Sequence, residues 1–104
     1  MLPCEISPAA QKDLKEIARY TLKEWGAAQS LRYAAALDRC FVEIAKGTRL
    51  SKSPFERHPS LKVSRCEHHY VFYLQIADHP PLVIAVLHEK MDMLQRLKLR
   101  LALK

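Results

Sequence analysis

"SPAAQKDLKEIARYTLKEWGAAQSLRYAAALDRCFVEIAKG", Ser7 to Gly47, carries two long amphipathic periods parted by one glycine. Ser7 offers a side-chain oxygen to the first free amides of a helix, and Pro8 suits the first helical position. Leu14, Ile17, Ala18, Thr21 and Trp25 then recur at helical spacing, with Lys12, Lys15, Glu16, Arg19 and Lys23 off that stripe. Gly26 supplies the left-handed stop, and a second helix over 27–46 repeats the pattern through Tyr33, Leu37, Phe41 and Ile44. Gly47 ends it. So short a link between two long helices predicts an antiparallel helical hairpin.

The signals on either side differ in kind. Met1 to Ile6 is short and mixed, and could form a leading strand. Downstream, "TRLSKSPFERHP" (Thr48 to Pro59) carries two prolines, several charges and no period, which reads as a loop. Three strand signals follow: "LKVSRC" alternates, "HYVFYLQIA" is β-branched and aromatic, and "LVIAVLH" is apolar on both faces, as a central strand should be. "DHPP" reads as the turn of a hairpin between the last two. After His88, Asp92 with Gln95 resembles a capping box, and Met93, Leu94, Leu97 and Leu101 form one stripe of a short C-terminal helix or tail. Helices first and strands second indicate an α+β fold: an N-terminal helical hairpin packed on a small antiparallel β-sheet.

The totals bound the function. A chain of 104 residues with 49% hydrophobic and 27% charged residues suits one globular domain, 1–104, with a modest core. A net charge of +6 and a pI near 9.4 favour acidic partners. Cys4, Cys40 and Cys66 form no CxxC pair, so three free thiols are expected rather than a zinc ribbon or a disulfide framework. The first residues lack the pattern of a secretory signal, and no apolar run approaches the roughly 20 residues of a membrane span. A cytoplasmic location is expected.

Few residues support catalysis. His68 and His69 are adjacent and would face opposite sides of a strand, while HExxH is absent although "HE" occurs at His88–Glu89. No metal, cofactor or catalytic residue is therefore assigned. Two glycines, both at helix ends, leave none for a phosphate loop. Tyr70 and Phe72 would share one face and Tyr73 the other, so at least one of these faces is core rather than a base-stacking platform. Trp25, at the end of an apolar stripe, reads as a core anchor. The C-terminal stretch stands out instead. Lys90, Arg96, Lys98, Arg100 and Lys104 outnumber Glu89 and Asp92, and Met91 and Met93 add adaptable apolar contact.

Several strings taken together resemble the ParE side of the ParE/RelE toxin superfamily. They are the Ser-Pro-Ala-Ala helix start at Ser7, the Trp25–Gly26 pair before a helix with Tyr33, "HHYVFYLQI" with His69 and Tyr73, and "VLHEKMDM" with Leu87, His88, Met91 and Asp92. The resemblance spans nearly the whole chain. It implies a toxin of a type II toxin–antitoxin module, bound in a hetero-oligomer by a small ParD-like antitoxin, with DNA gyrase as target and no membrane partner. Direct nucleic-acid binding is compatible with the charge but is not required. On this reading His88, Lys90, Met91, Met93, Arg96, Leu97 and Arg100 meet the target, the cations by steering and the apolar groups by contact. RelE relatives instead cut mRNA on the ribosome with a basic cluster and a C-terminal tyrosine. Lys62, Arg65, His88 and Lys90 are the candidates for such a cluster here, but no tyrosine follows Tyr73. A member that binds its antitoxin without being toxic is the further alternative.

Overall fold

The computed structural model describes residues 4–89 and 93–102. Helix α1 spans Pro8–Trp25, and the Ser7 hydroxyl accepts the Ala10 amide at 3.1 Å, so the expected cap is in place. Gly26 ends α1 at φ 87° and ψ 170°, outside the expected left-handed helical region, because the chain turns directly into α2, Ala27–Lys46. Gly47, at φ 74°, closes α2 in the left-handed conformation that favours glycine, its amide donating to the Ile44 carbonyl. The helices run antiparallel. Thr21 and Ser30 hydroxyls meet across them at 2.9 Å.

Strands β1 (Glu5–Ile6), β2 (Leu61–Cys66), β3 (His69–Leu74) and β4 (Leu82–His88) form a sheet in the order β1-β4-β3-β2. Strands β2, β3 and β4 pair antiparallel, as expected. The leading strand makes the sheet mixed rather than wholly antiparallel, because β1 lies parallel to β4 through Leu82 and Val83. The register between β3 and β4 slips once. Phe72 faces Ala85 and Tyr73 faces Val83, so Ile84 has no partner on β3 and forms a bulge.

That bulge sorts the apolar residues of β4. Val83 and Val86 pack with the helical hairpin, against Tyr33, Leu37, Cys40, Phe41 and Ile44. Ile84, Ala85 and Leu87 pack on the opposite face with Leu61, Phe72 and Leu97. Leu97 belongs to α3, Met93–Ala102, which covers that second face. The anticipated α2 stripe is buried in full. Tyr73 joins the core on the helical side, while Phe72 and half-buried Tyr70 join it on the other.

Three expectations fail or fall out of view. Trp25 is no core anchor. It is 44% exposed at the end of α1, edge-on to Tyr20 and Tyr33. Nor are all three cysteines free thiols. Packing of α2 on β2 brings Cys40 and Cys66 to a Cα separation of 6.2 Å, and a disulfide joins them, leaving Cys4 free and buried. The proposed Asp92 cap lies outside the described residues.

Candidate functional site

One face of α1 stands away from the sheet at the open end of β3 and β4. A groove of about 670 Å³ lies there. Asp13, Glu16, Ile17, Tyr20, Thr21 and Trp25 line it from α1, at the i, i+3, i+4 spacing of one helix face. Val86 and Leu87 face it from β4, and His68, His69, His88 and Glu89 from the sheet end. Arg96 reaches it from α3. Tyr20 is 57% exposed, so two large aromatic rings stand at its mouth with Trp25.

A polar network holds that end of the sheet. Tyr33 rises from α2 so that its hydroxyl meets His69 Nδ1 at 2.5 Å and accepts the His68 amide at 3.1 Å. Burial lowers the His69 pKa to about 4, and the neighbouring His88 and His68 push it the same way. His69 is therefore a neutral imidazole near pH 7, able to accept the Tyr33 proton. Burial also raises the Tyr33 pKa, keeping that phenol protonated. The His69 and His88 rings meet edge-on, their centroids 5.1 Å apart. On the solvent side, Glu89 bonds His68 Nδ1 at 3.1 Å and Arg65 at 2.5 Å. The His68 bond, then Arg65, lower the Glu89 pKa.

The sequence candidates are distributed unevenly over this arrangement. His88 is half-buried beside His69, and Arg96 is exposed on α3. Leu97 is fully buried, and Arg100 forms an ion pair with Asp13 at 2.6 Å rather than standing free in solvent. Met93 opens α3, while Lys90 and Met91 lie outside the described residues. Lys62 and Arg65 sit three residues apart on β2, so alternation points them to opposite faces. Arg65 is engaged by Glu89 and lies 5.6 Å from the Tyr70 ring, and Lys62 donates to Ser53 at 3.1 Å. The structure does not bring these two cations together. Among the described residues, no group of His, Cys, Asp and Glu has the geometry of a metal site.

Sequence reasoning missed Asp13 and Tyr20, and named Glu89 without giving it a role. Asp13 had a legible signal. It lies three residues after Ala10 and four before Ile17, on the inner face of α1, where a carboxylate requires a partner. Tyr20 and Glu89 gave none, because the groove forms only when α1 and the ends of β3 and β4 come together.

Two helices lie on one face of the small sheet and a short third helix on the other. Residues 4–93 match the family described as the ParE toxin of the type II toxin–antitoxin system, parDE. The chain is 48% identical over 96 residues to Toxin ParE of Escherichia coli, covering 92% of this chain and 93% of that protein. It is 31% identical over 87 residues to Toxin ParE1 of Mycobacterium tuberculosis, covering 84% and 89% respectively. The chain belongs to the ParE toxin family of type II toxin–antitoxin systems. No helix among the described residues is long and apolar enough to cross a membrane.

Proposed function

We propose that this protein is a toxin that inhibits DNA gyrase by binding, and that a ParD-like antitoxin silences it by occupying the groove beside α1. Family membership supports the toxin role. The observation that carries the docking site is the exposure of Tyr20 and Trp25 beside an apolar floor of Ile17 and Val86. Exposed Trp and Tyr beside an arginine make the composition of a binding hot spot. A peptide segment presenting apolar side chains, with an acidic residue toward Arg96, suits this lining.

The C-terminal segment remains the proposed target contact, with His88, Lys90, Met91, Met93 and Arg96 as candidates. Leu97 and Arg100 can join only if α3 leaves its seat. Binding rather than catalysis is favoured because Lys62 and Arg65 diverge and α3 carries no tyrosine. The test pairs two assays on the purified protein: gyrase supercoiling and translation-dependent mRNA cleavage. Inhibited supercoiling with intact mRNA is expected, and adding antitoxin should restore supercoiling. Cleaved mRNA with normal supercoiling would replace this reading with a ribosome-dependent ribonuclease. No effect in either assay would leave a protein that only binds its antitoxin. Trp25 is the sole tryptophan, so its fluorescence reports directly on whether antitoxin enters the groove.

A further inference from the structure

Strand β1 pairs with β4 only at Leu82 and Val83, so among the described residues no strand extends along that edge of β4 from Ile84 to His88. An open edge of this kind leaves backbone groups that need partners. Two side chains supply them. Asp13 Oδ2 accepts the Val86 amide at 2.9 Å, as a strand carbonyl would. Arg100 Nη1 donates to the carbonyl of the bulged Ile84 at 3.2 Å, as a strand amide would. The two also hold each other, Nη1 to Oδ2 at 2.6 Å and Nη2 to Oδ1 at 3.3 Å.

Asp13 belongs to α1 and Arg100 to α3. The pair that satisfies the β4 edge therefore also fastens the C-terminal helix to the hairpin. Among the described side chains, α3 also grips the sheet through Leu97, fully buried, and Leu101, half-buried. A helix of 10 residues is marginal by itself in water, so α3 keeps its shape only while these contacts hold. One of the described contacts is a charge pair that another acidic surface could replace, and a short helix held in this way is a segment that opens locally.

We propose that α3 is a releasable latch, closed over the open edge of β4 by the Asp13–Arg100 pair, and that engagement of the target opens it. Opening frees Arg100 and Leu97 for an acidic, partly apolar surface and bares the Val86 amide and Ile84 carbonyl. The opening by target rests on the gyrase reading; the latch itself does not.

Hydrogen exchange on the full chain tests the latch, comparing the natural protein with Asp13→Asn and Arg100→Gln. The side-chain carbonyl introduced by Asp13→Asn can still accept the Val86 amide, so this substitution removes the charge pair while sparing the strand contact. Both variants should lose amide protection over 93–102 by at least tenfold, with β2 and β3 unchanged and unfolding still cooperative. Unchanged exchange over 93–102 overturns the proposal. So does a loss spread equally over α1 and α2, which would make the pair a general support. In the supercoiling assay, Asp13→Asn should inhibit at a severalfold lower concentration because its latch is already loose. Weaker inhibition by a variant with a demonstrably open α3 refutes opening by target. If the natural protein leaves supercoiling untouched, the gyrase reading fails and the exchange result alone decides the latch.

Discussion

On one face of the sheet, helices of 18 and 20 residues bury a continuous stripe from Tyr33 to Ile44 and are tied to β2 through Cys40 and Cys66. On the other, a helix of 10 residues buries Leu97 and depends on Arg100 meeting Asp13 around the edge of β4. The same four strands thus carry one permanent layer and one conditional layer. The difference is one of area. Each fully buried large apolar side chain contributes about 1.5–3 kcal/mol, and among the described residues the hairpin has more of them than α3.

Four experiments would sharpen or break this contrast. Phe41→Ala should have the largest effect, costing about 3–5 kcal/mol in urea unfolding, because it opens a cavity beneath the permanent layer. A loss below about 1 kcal/mol would show that the hairpin face is not the stability core. Reducing the Cys40–Cys66 bond, or replacing Cys40 with Ser, should cost about 3 kcal/mol, as expected for opening a loop of sequence separation 26. Calorimetry before and after reductant measures this directly, and an unchanged melting temperature would argue that the two thiols are not bonded.

Leu97→Ala should cost about 2 kcal/mol, at the low end for a buried leucine, because α3 can detach locally instead of unfolding the whole chain. Exchange over 93–102 should rise while the hairpin stays protected. Global destabilisation as large as that of Phe41→Ala would erase the distinction between the layers.

The smallest effect is the one with pH. The folded pKa of His69 lies at about 4 against an ordinary 6.5, so the unfolded chain binds more protons between those values. Stability is then full above pH 6.5 and falls as the pH drops through that window toward 4. Glu89, whose pKa is lowered by His68 and Arg65, adds a loss of the same sign at the acid end. Urea midpoints at pH 7 and pH 5 should differ in the natural protein and differ less in His69→Gln. An equal slope in both would remove His69 as the cause.

The caps at Ser7, Gly26 and Gly47, the α2 stripe and the three later strands were legible because each follows from spacing within a short window. The doubly apolar "LVIAVLH" even showed that β4 is covered on both faces. Its bulge was not legible. Nothing in that string marks Ile84, and the slip arises from how β3 and β4 settle against different layers. Arg100 looked like a free surface cation because its partner lies 87 residues away on α1. Trp25 looked like core because periodicity reports which side of a helix faces inward, not how completely that side is covered at the helix end.

By itself, the sequence determined the element types, the helical hairpin and the ParE family, since capping, periodicity and ordered local strings need no knowledge of distant neighbours. Only the tertiary structure decided the parallel β1–β4 pair, the groove at Tyr20 and Trp25, and the meeting of Asp13 with Arg100. Those depend on which surfaces come together once the chain has closed, and a charge or an aromatic ring has no fixed role until its partner, or the lack of one, is set by packing.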